Sequence, residues 1–140
     1  MKIVLAIDGS SCSLRATRFL IELIAGREGQ EIHVINVQAP VRYADLLPDR
    51  RKRLVKQWNV EGGELETAAA RELLADAQVP CRLHLVAGDP ATTIAKLAGK
   101  LKCDLIVMGT RGTGTVRGLV FGSVATKVVH LAAAPVTLVK

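Results

Sequence analysis

Two hydrophobic periods take turns along this chain. Nearly unbroken apolar runs at residues 2–8 (KIVLAID), 31–37, 79–87, 104–108 and 136–139 have the length and β-branched content of buried strands. The segments between them carry apolar residues at helical spacing. In the first, Leu14, Phe19, Leu20, Leu23 and Ile24 recur behind a capping Ser10 or Ser11, and Gly26 ends the run. After a polar connection from Pro40 to Pro48, a helix is predicted to about residue 78, with Leu47, Leu54, Trp58, Leu65, Ala69 and Leu73 as its buried stripe. Gly62 and Gly63 lie within that stripe and weaken the helix by about 1 kcal/mol each relative to alanine, so a break or kink is expected there. Gly88-Asp89-Pro90 starts a short third helix through Ile94, Leu97, Ala98 and Leu101, with Asp89 as cap and Pro90 in the first turn. A fourth helix begins near Ser123 and carries Val124, Val128, Val129 and Leu131, and Pro135 opens the last strand.

Strict alternation of five strands and four helices predicts an α/β protein. It would be a single open five-stranded parallel sheet, β-α-β-α-β-α-β-α-β, with right-handed crossovers and helices on both faces, and residues 1–140 would form one domain. In such sheets ligands bind beyond the carboxyl ends of the strands, where the strand order reverses. A strand order of 3-2-1-4-5 would make the first and fourth strands neighbours, so that Asp8 and the loop after residue 108 share one crevice.

Composition narrows the class. With 140 residues, 49% hydrophobic but only 3% aromatic, the core must be aliphatic, as in parallel sheets covered on both sides. No apolar run approaches the ~20 residues of a membrane span, and Met1-Lys2 leads directly into a strand, so a cytoplasmic protein without membrane contact is expected. The net charge of +6 favours anionic partners without choosing among them. Much of it lies in Arg50, Arg51, Lys52, Arg53 and Lys56, read as a solvated helical face rather than a nucleic-acid surface. Cys12, Cys81 and Cys103 lack metal or redox spacing, and only Cys12, near a helix N-terminus, has a setting that would favour a thiolate. His33, His84 and His130 show neither metal-ligand spacing nor a nucleophile partner, and no carboxylate pair near the loop marks a general acid and base.

The chemistry concentrates in DLIVMGTRGTGTVRGLVFGSVATKVV, residues 104–129, which holds Gly109, Gly112, Gly114, Gly118 and Gly122. A strand, a glycine-rich loop and a helix start make an anion site, because glycine permits close backbone approach and the free N–H groups of a starting helix attract negative charge. A Walker A loop requires Lys after its last glycine, whereas Ser123 follows Gly122; a dinucleotide fingerprint requires G-x-G-x-x-G after the first strand, whereas Gly112, Gly114 and Gly118 have the wrong gap and follow the fourth. What remains is G-x2-G-x9-G-[ST], formed by Gly109, Gly112, Gly122 and Ser123.

With that spacing the chain resembles the universal stress protein family, in its ATP-binding branch. KIVLAIDGS, IHVINV, GDPATTIAKLA, CDLIVMGTRG and APVTLVK look like family segments in family order, and residues 38–78 resemble it least. The resemblance implies that Asp8 contacts the nucleoside and that the backbone of Val34 recognises adenine. It implies that Met108, Gly109, Thr110, Arg111 and Gly112 run past ribose and phosphates, and that Gly122, Ser123 and Val124 supply phosphate-binding N–H groups together with the serine hydroxyl. Ala125 stands where some relatives have a further hydroxyl. Plainer roles stay open: Asp8 suits a brace of the strand-to-helix turn, Ser123 an N-cap, and Arg111 and Arg117 either phosphate screening or solvent exposure. The implied ligand is ATP, with magnesium where the nucleotide carries it, and the implied role is a nucleotide-dependent sensor or switch in the stress response. A slow ATPase or nucleotidyl-transfer enzyme of the same broader fold is the alternative, and no catalytic residue is assigned. Many family members resemble dimers joined through the last strand, so residues 136–139 are expected to pair with a second copy.

Overall fold

In the computed structural model, residues 1–40, 46–112 and 121–140 are described. Strands β1 (Lys2–Ala6), β2 (Glu31–Gln38), β3 (Cys81–Ala87), β4 (Leu105–Gly109) and β5 (Val136–Val139) alternate with helices α1 (Ser11–Ile24), α2 (Asp49–Asp76), α3 (Pro90–Leu101) and α4 (Ser123–Leu131). All pairings are parallel and the order is β3-β2-β1-β4-β5, as the alternation predicts. β1 therefore lies between β2 and β4, with Leu5 opposite both Val34 and Val107.

Period-two alternation sorts the strand side chains onto two faces. Ile3, Leu5, Ile7, Ile32, Val34 and Val107 pack against Ala16, Leu20 and Ile24 of α1 and Ala70 and Leu74 of α2. Val4, Ala6, Ile35, Ile106 and Met108 pack against Ala91, Ile94 and Ala98 of α3 and Ala125 and Val128 of α4. Each fully buried Leu or Ile contributes about 1.5–3 kcal/mol, enough for an aliphatic core to hold the sheet between two helical layers.

The helix ends follow local chemistry. The Ser10 hydroxyl accepts from the Ser13 N–H at 3.2 Å, and the Asp89 carboxylate accepts from the Thr92 N–H at 3.0 Å with Pro90 behind it. β3 begins at Cys81 rather than residue 79, because the Val79 N–H donates to Leu74 O to close α2 and Pro80 has no N–H to give.

α2 departs from expectation twice. It is one uninterrupted helix across Gly62-Gly63, and its buried residues are Gly63, Thr67, Ala70 and Leu74. The predicted stripe points to solvent instead: Leu54 is 43%, Trp58 63% and Leu65 79% exposed. Close approach to the sheet explains both. A Cβ on Gly63 would lie 2.9 Å from Asn36 Oδ1 and from Leu85 Cδ2, so the face that meets β2 and β3 must be small rather than greasy.

Candidate functional site

The site forms where the sheet reverses direction, at the carboxyl ends of β1 and β4. Past β1 the chain turns at Gly9, whose φ of +76° is open to glycine at little cost. Asp8 precedes that turn and braces it with one oxygen: Oδ1 accepts from the Ser10 N–H at 3.0 Å and from the Ser10 hydroxyl at 2.6 Å. Its other oxygen, Oδ2, lies against Gly112, where an added Cβ would overlap it. Asp8 thus fills the bracing role with one oxygen and presents the second to the glycine loop.

The loop is drawn in equally closely at its start. A Cβ on Gly109 would lie 2.7 Å from the Cβ of Cys12 on α1, so only glycine lets β4 end against that helix. On the far side of the loop, the Gly122 N–H donates to Thr110 O at 2.7 Å and ties the start of α4 back to the end of β4. Gly122, not Ser123, is the N-cap of α4, and Ser123 is the first helical residue. The first closed helical turn is Thr126 N–H to Gly122 O at 3.0 Å. The N–H groups of Ser123, Val124 and Ala125 therefore have no acceptor within the helix and carry its partial positive charge, about half an elementary charge. The Ser123 side chain is exposed and takes no part in capping.

These parts enclose a crevice of about 460 Å³, within the range of small-molecule sites. Its lining joins the apolar side chains of Ile35, Val37, Ile94 and Met108 to Asp8, Gly109, Thr110, Arg111, Gly112, Gly122, Ser123 and Val124. Nine of the ten residues singled out from the sequence line this space. Val34 does not: it is fully buried on the opposite face of the sheet, paired with Leu5 and Leu83, and Ile35 and Val37 take the wall instead. Gly114, Arg117 and Gly118 lie outside the described residues. Thr110 is 2% exposed, and its hydroxyl is the one buried side-chain polar atom without a hydrogen-bond partner among the described residues.

A polar cluster on the α2 side was not foreseen. Glu66 reaches from α2 into the crevice wall, and its Oε2 accepts from Asn36 Nδ2 at 2.7 Å and from Gln38 Nε2 at 3.0 Å. Asn36 Nδ2 also donates to Ile7 O at 2.9 Å, and Asn36 Oδ1 accepts from Gln38 Nε2 at 2.9 Å. The one sequence signal was Asn36, a polar residue among the apolar Val34, Ile35 and Val37 of β2; its partner lay in a helix whose buried face was misassigned.

The remaining titratable groups stand apart from the crevice lining. His33 is buried, with Nε2 3.1 Å from Glu31 Oε1 and Nδ1 2.9 Å from His84 Nε2. Burial, then the neighbouring His33 and Arg82, lower the His84 pKa below its usual value. Burial raises the Cys81 and Cys103 thiols. Cys12 is buried with Sγ 2.9 Å from the Arg15 guanidinium. Among the described residues no group of three His, Cys, Asp or Glu side chains could hold a metal ion, and no helix is long and apolar enough to cross a membrane.

Fold and crevice together define an open parallel α/β protein with a crevice at the point where strand order reverses, the place where such sheets bind ligands. The universal stress protein family model matches residues 1–140. Universal stress protein MJ0531 of Methanocaldococcus jannaschii is 32% identical over 139 residues, covering 99% of this chain and 81% of that one. The chain belongs to the universal stress protein family. Among solved structures, the hypothetical protein MJ0577 superposes with a TM-score of 0.85 at 23% identity, covering 99% of this chain and 94% of that one. A family member from Arabidopsis thaliana, solved with AMP bound, superposes with a TM-score of 0.69 at 20% identity, covering 100% and 91%.

Proposed function

We propose that this chain is an adenine-nucleotide-binding regulatory protein, with ATP as its principal ligand, whose occupancy biases a conformation read by a partner in the stress response. The observation that carries the reading is the lining of the crevice, which joins an apolar slot of Ile35, Val37, Ile94 and Met108 to the glycine loop and the first N–H groups of α4. A base suits the slot, and a polyphosphate suits the helix N-terminus, whose N–H groups replace the water that phosphate oxygens lose. Asp8, whose Oδ2 faces Gly112 in the same lining, suits a ribose hydroxyl. AMP in the Arabidopsis relative supports the same ligand class. A ligand that binds only the folded form adds about 2.7 kcal/mol of stability at a hundred times its Kd, which is enough to shift a two-state element.

Calorimetric titration with ATP tests the reading. Ser123→Ala removes an exposed hydroxyl without disturbing the Gly122 cap. A lost hydrogen bond to a charged group is worth about 1.5–3 kcal/mol, so the variant is expected to bind roughly 10–100-fold more weakly. Absence of binding by the unmodified protein would refute the proposal. Stoichiometric occupancy without sustained phosphate release is the result expected of a switch; steady turnover would favour the enzymatic alternative. β5 pairs with β4 alone, so its outer edge is the surface proposed for a two-fold dimer. A chain ending at Pro135 is expected to lose that association on sizing.

A further inference from the structure

α2 carries a second, outward-facing recognition surface. On a helix of 3.6 residues per turn, Leu54, Trp58 and Leu65 fall within about 40° of one another, roughly 170° from the centre of the buried face formed by Gly63, Thr67, Ala70 and Leu74. Their exposures of 43%, 63% and 79% agree with that placement. The helix continues well beyond its packed half: no residue from Asp49 to Gly62 is buried, and half a helix standing free in water is marginally stable by itself.

Charge along the helix is segregated about the same midpoint. The first half has Arg50, Arg51, Lys52, Arg53 and Lys56 against Asp49; the second has Glu61, Glu64, Glu66, Glu72 and Asp76 against Arg71. On the outward face the stripe is bounded by Arg50 and Arg51 at one end and by Glu72 and Asp76 at the other. An anionic membrane would be repelled by the acidic end, and a parallel copy would oppose like charges. An antiparallel copy places each charged end against its complement.

We infer that α2 pairs antiparallel with α2 of a second copy of this chain, about a two-fold axis near Glu61 and Gly62. In that register Trp58 of one copy packs on Leu65 of the other, Leu54 on the small exposed Ala69, and Arg51 reaches Glu72. The helix is about 42 Å long, so the contact is extended, with an aromatic anchor at its centre and ion pairs at its ends. This surface is separate from the β5 edge and from the crevice, and two isologous faces on one chain build a closed tetramer when their axes are perpendicular.

Trp58 is the only tryptophan and reports the contact directly. Sedimentation velocity and Trp58 emission are followed together over a concentration series of the full chain. The expected result is an association step accompanied by a blue shift, abolished in Trp58→Glu. Arg51→Glu raises the half-association concentration about tenfold, and adding Glu72→Arg to the same chain restores it, because the reversed pair is again complementary in the antiparallel register. All three positions are exposed, and unchanged circular dichroism of the variants checks that the fold survives. The inference is overturned if emission is independent of concentration, if Arg51→Glu leaves the step unchanged, or if Glu72→Arg fails to restore it. A blue shift seen only with phosphatidylserine vesicles overturns it in favour of a membrane surface.

Discussion

Adjacent glycines in α2 should respond to the same substitution with opposite sign. Alanine relieves about 0.8–1.0 kcal/mol of helix-propensity cost at either position. At Gly62 the new Cβ would lie 3.3 Å from Gln38 Oε1 alone, and a shift of a few tenths of an ångström in that half-buried side chain relieves the contact while Nε2 keeps its bonds to Asn36 and Glu66, so most of the gain survives. At Gly63 it would lie 2.9 Å from both Leu85 Cδ2 and Asn36 Oδ1. Asn36 cannot rotate away cheaply, because its amide is committed to Ile7 O and Glu66 and its carbonyl to Gln38. Overpacking of this kind costs about 1–3 kcal/mol, and unpairing a buried donor costs as much again. Gly62→Ala is therefore expected to be about 0.5–1 kcal/mol more stable than the parent, and Gly63→Ala about 1–5 kcal/mol less stable. Urea unfolding at 25 °C, with the slope m checked for constancy, measures both. A Gly63→Ala protein as stable as Gly62→Ala would refute the close-approach account of why α2 runs straight.

Other outcomes follow from the same contacts. His84 has its pKa lowered in the fold, so the unfolded chain binds more protons near and below pH 6.5; stability is fully present above that pH and falls as pH drops through the folded value. Melting temperatures at pH 7.5 and 5.5 should differ more for the parent than for His84→Asn, and equal differences would dismiss this linkage. Glu66→Ala strips Asn36 and Gln38 of an acceptor and should cost about 1–3 kcal/mol in urea unfolding. The raised Cys81 and Cys103 thiols should alkylate more slowly at neutral pH than in urea, as read by mass spectrometry.

The sheet and the glycine-loop side of the crevice were legible because their signals are local, whereas Ile35, Val37 and Ile94 in its apolar wall were not singled out. Apolar runs mark strands that are buried on both sides, Asp89-Pro90 marks a helix start, and glycine spacing marks a loop that must approach Asp8 and Cys12 closely. α2 was legible as a helix but not in its orientation. Periodicity finds an apolar face without saying whether the sheet or something else will cover it. Here the sheet takes Leu74 together with Gly63, Thr67 and Ala70, and a hydrophobicity pattern ranks those three below Leu54, Trp58 and Leu65. The same error hid Glu66, whose meaning depends on Asn36, 30 residues earlier and across two layers. Val34 was assigned a role through its backbone alone, and strand alternation puts its side chain in the core on the opposite face while Ile35 and Val37 line the crevice.

Amide chemical-shift mapping of the full chain with ATP tests the central claim most directly, because it reports where the nucleotide sits as well as whether it binds. The largest shifts are expected at Gly109, Thr110, Gly112, Ser123 and Val124, with Arg50 to Lys56 little changed. Saturable shifts confined to that basic segment of α2, with the crevice amides unmoved, would contradict it.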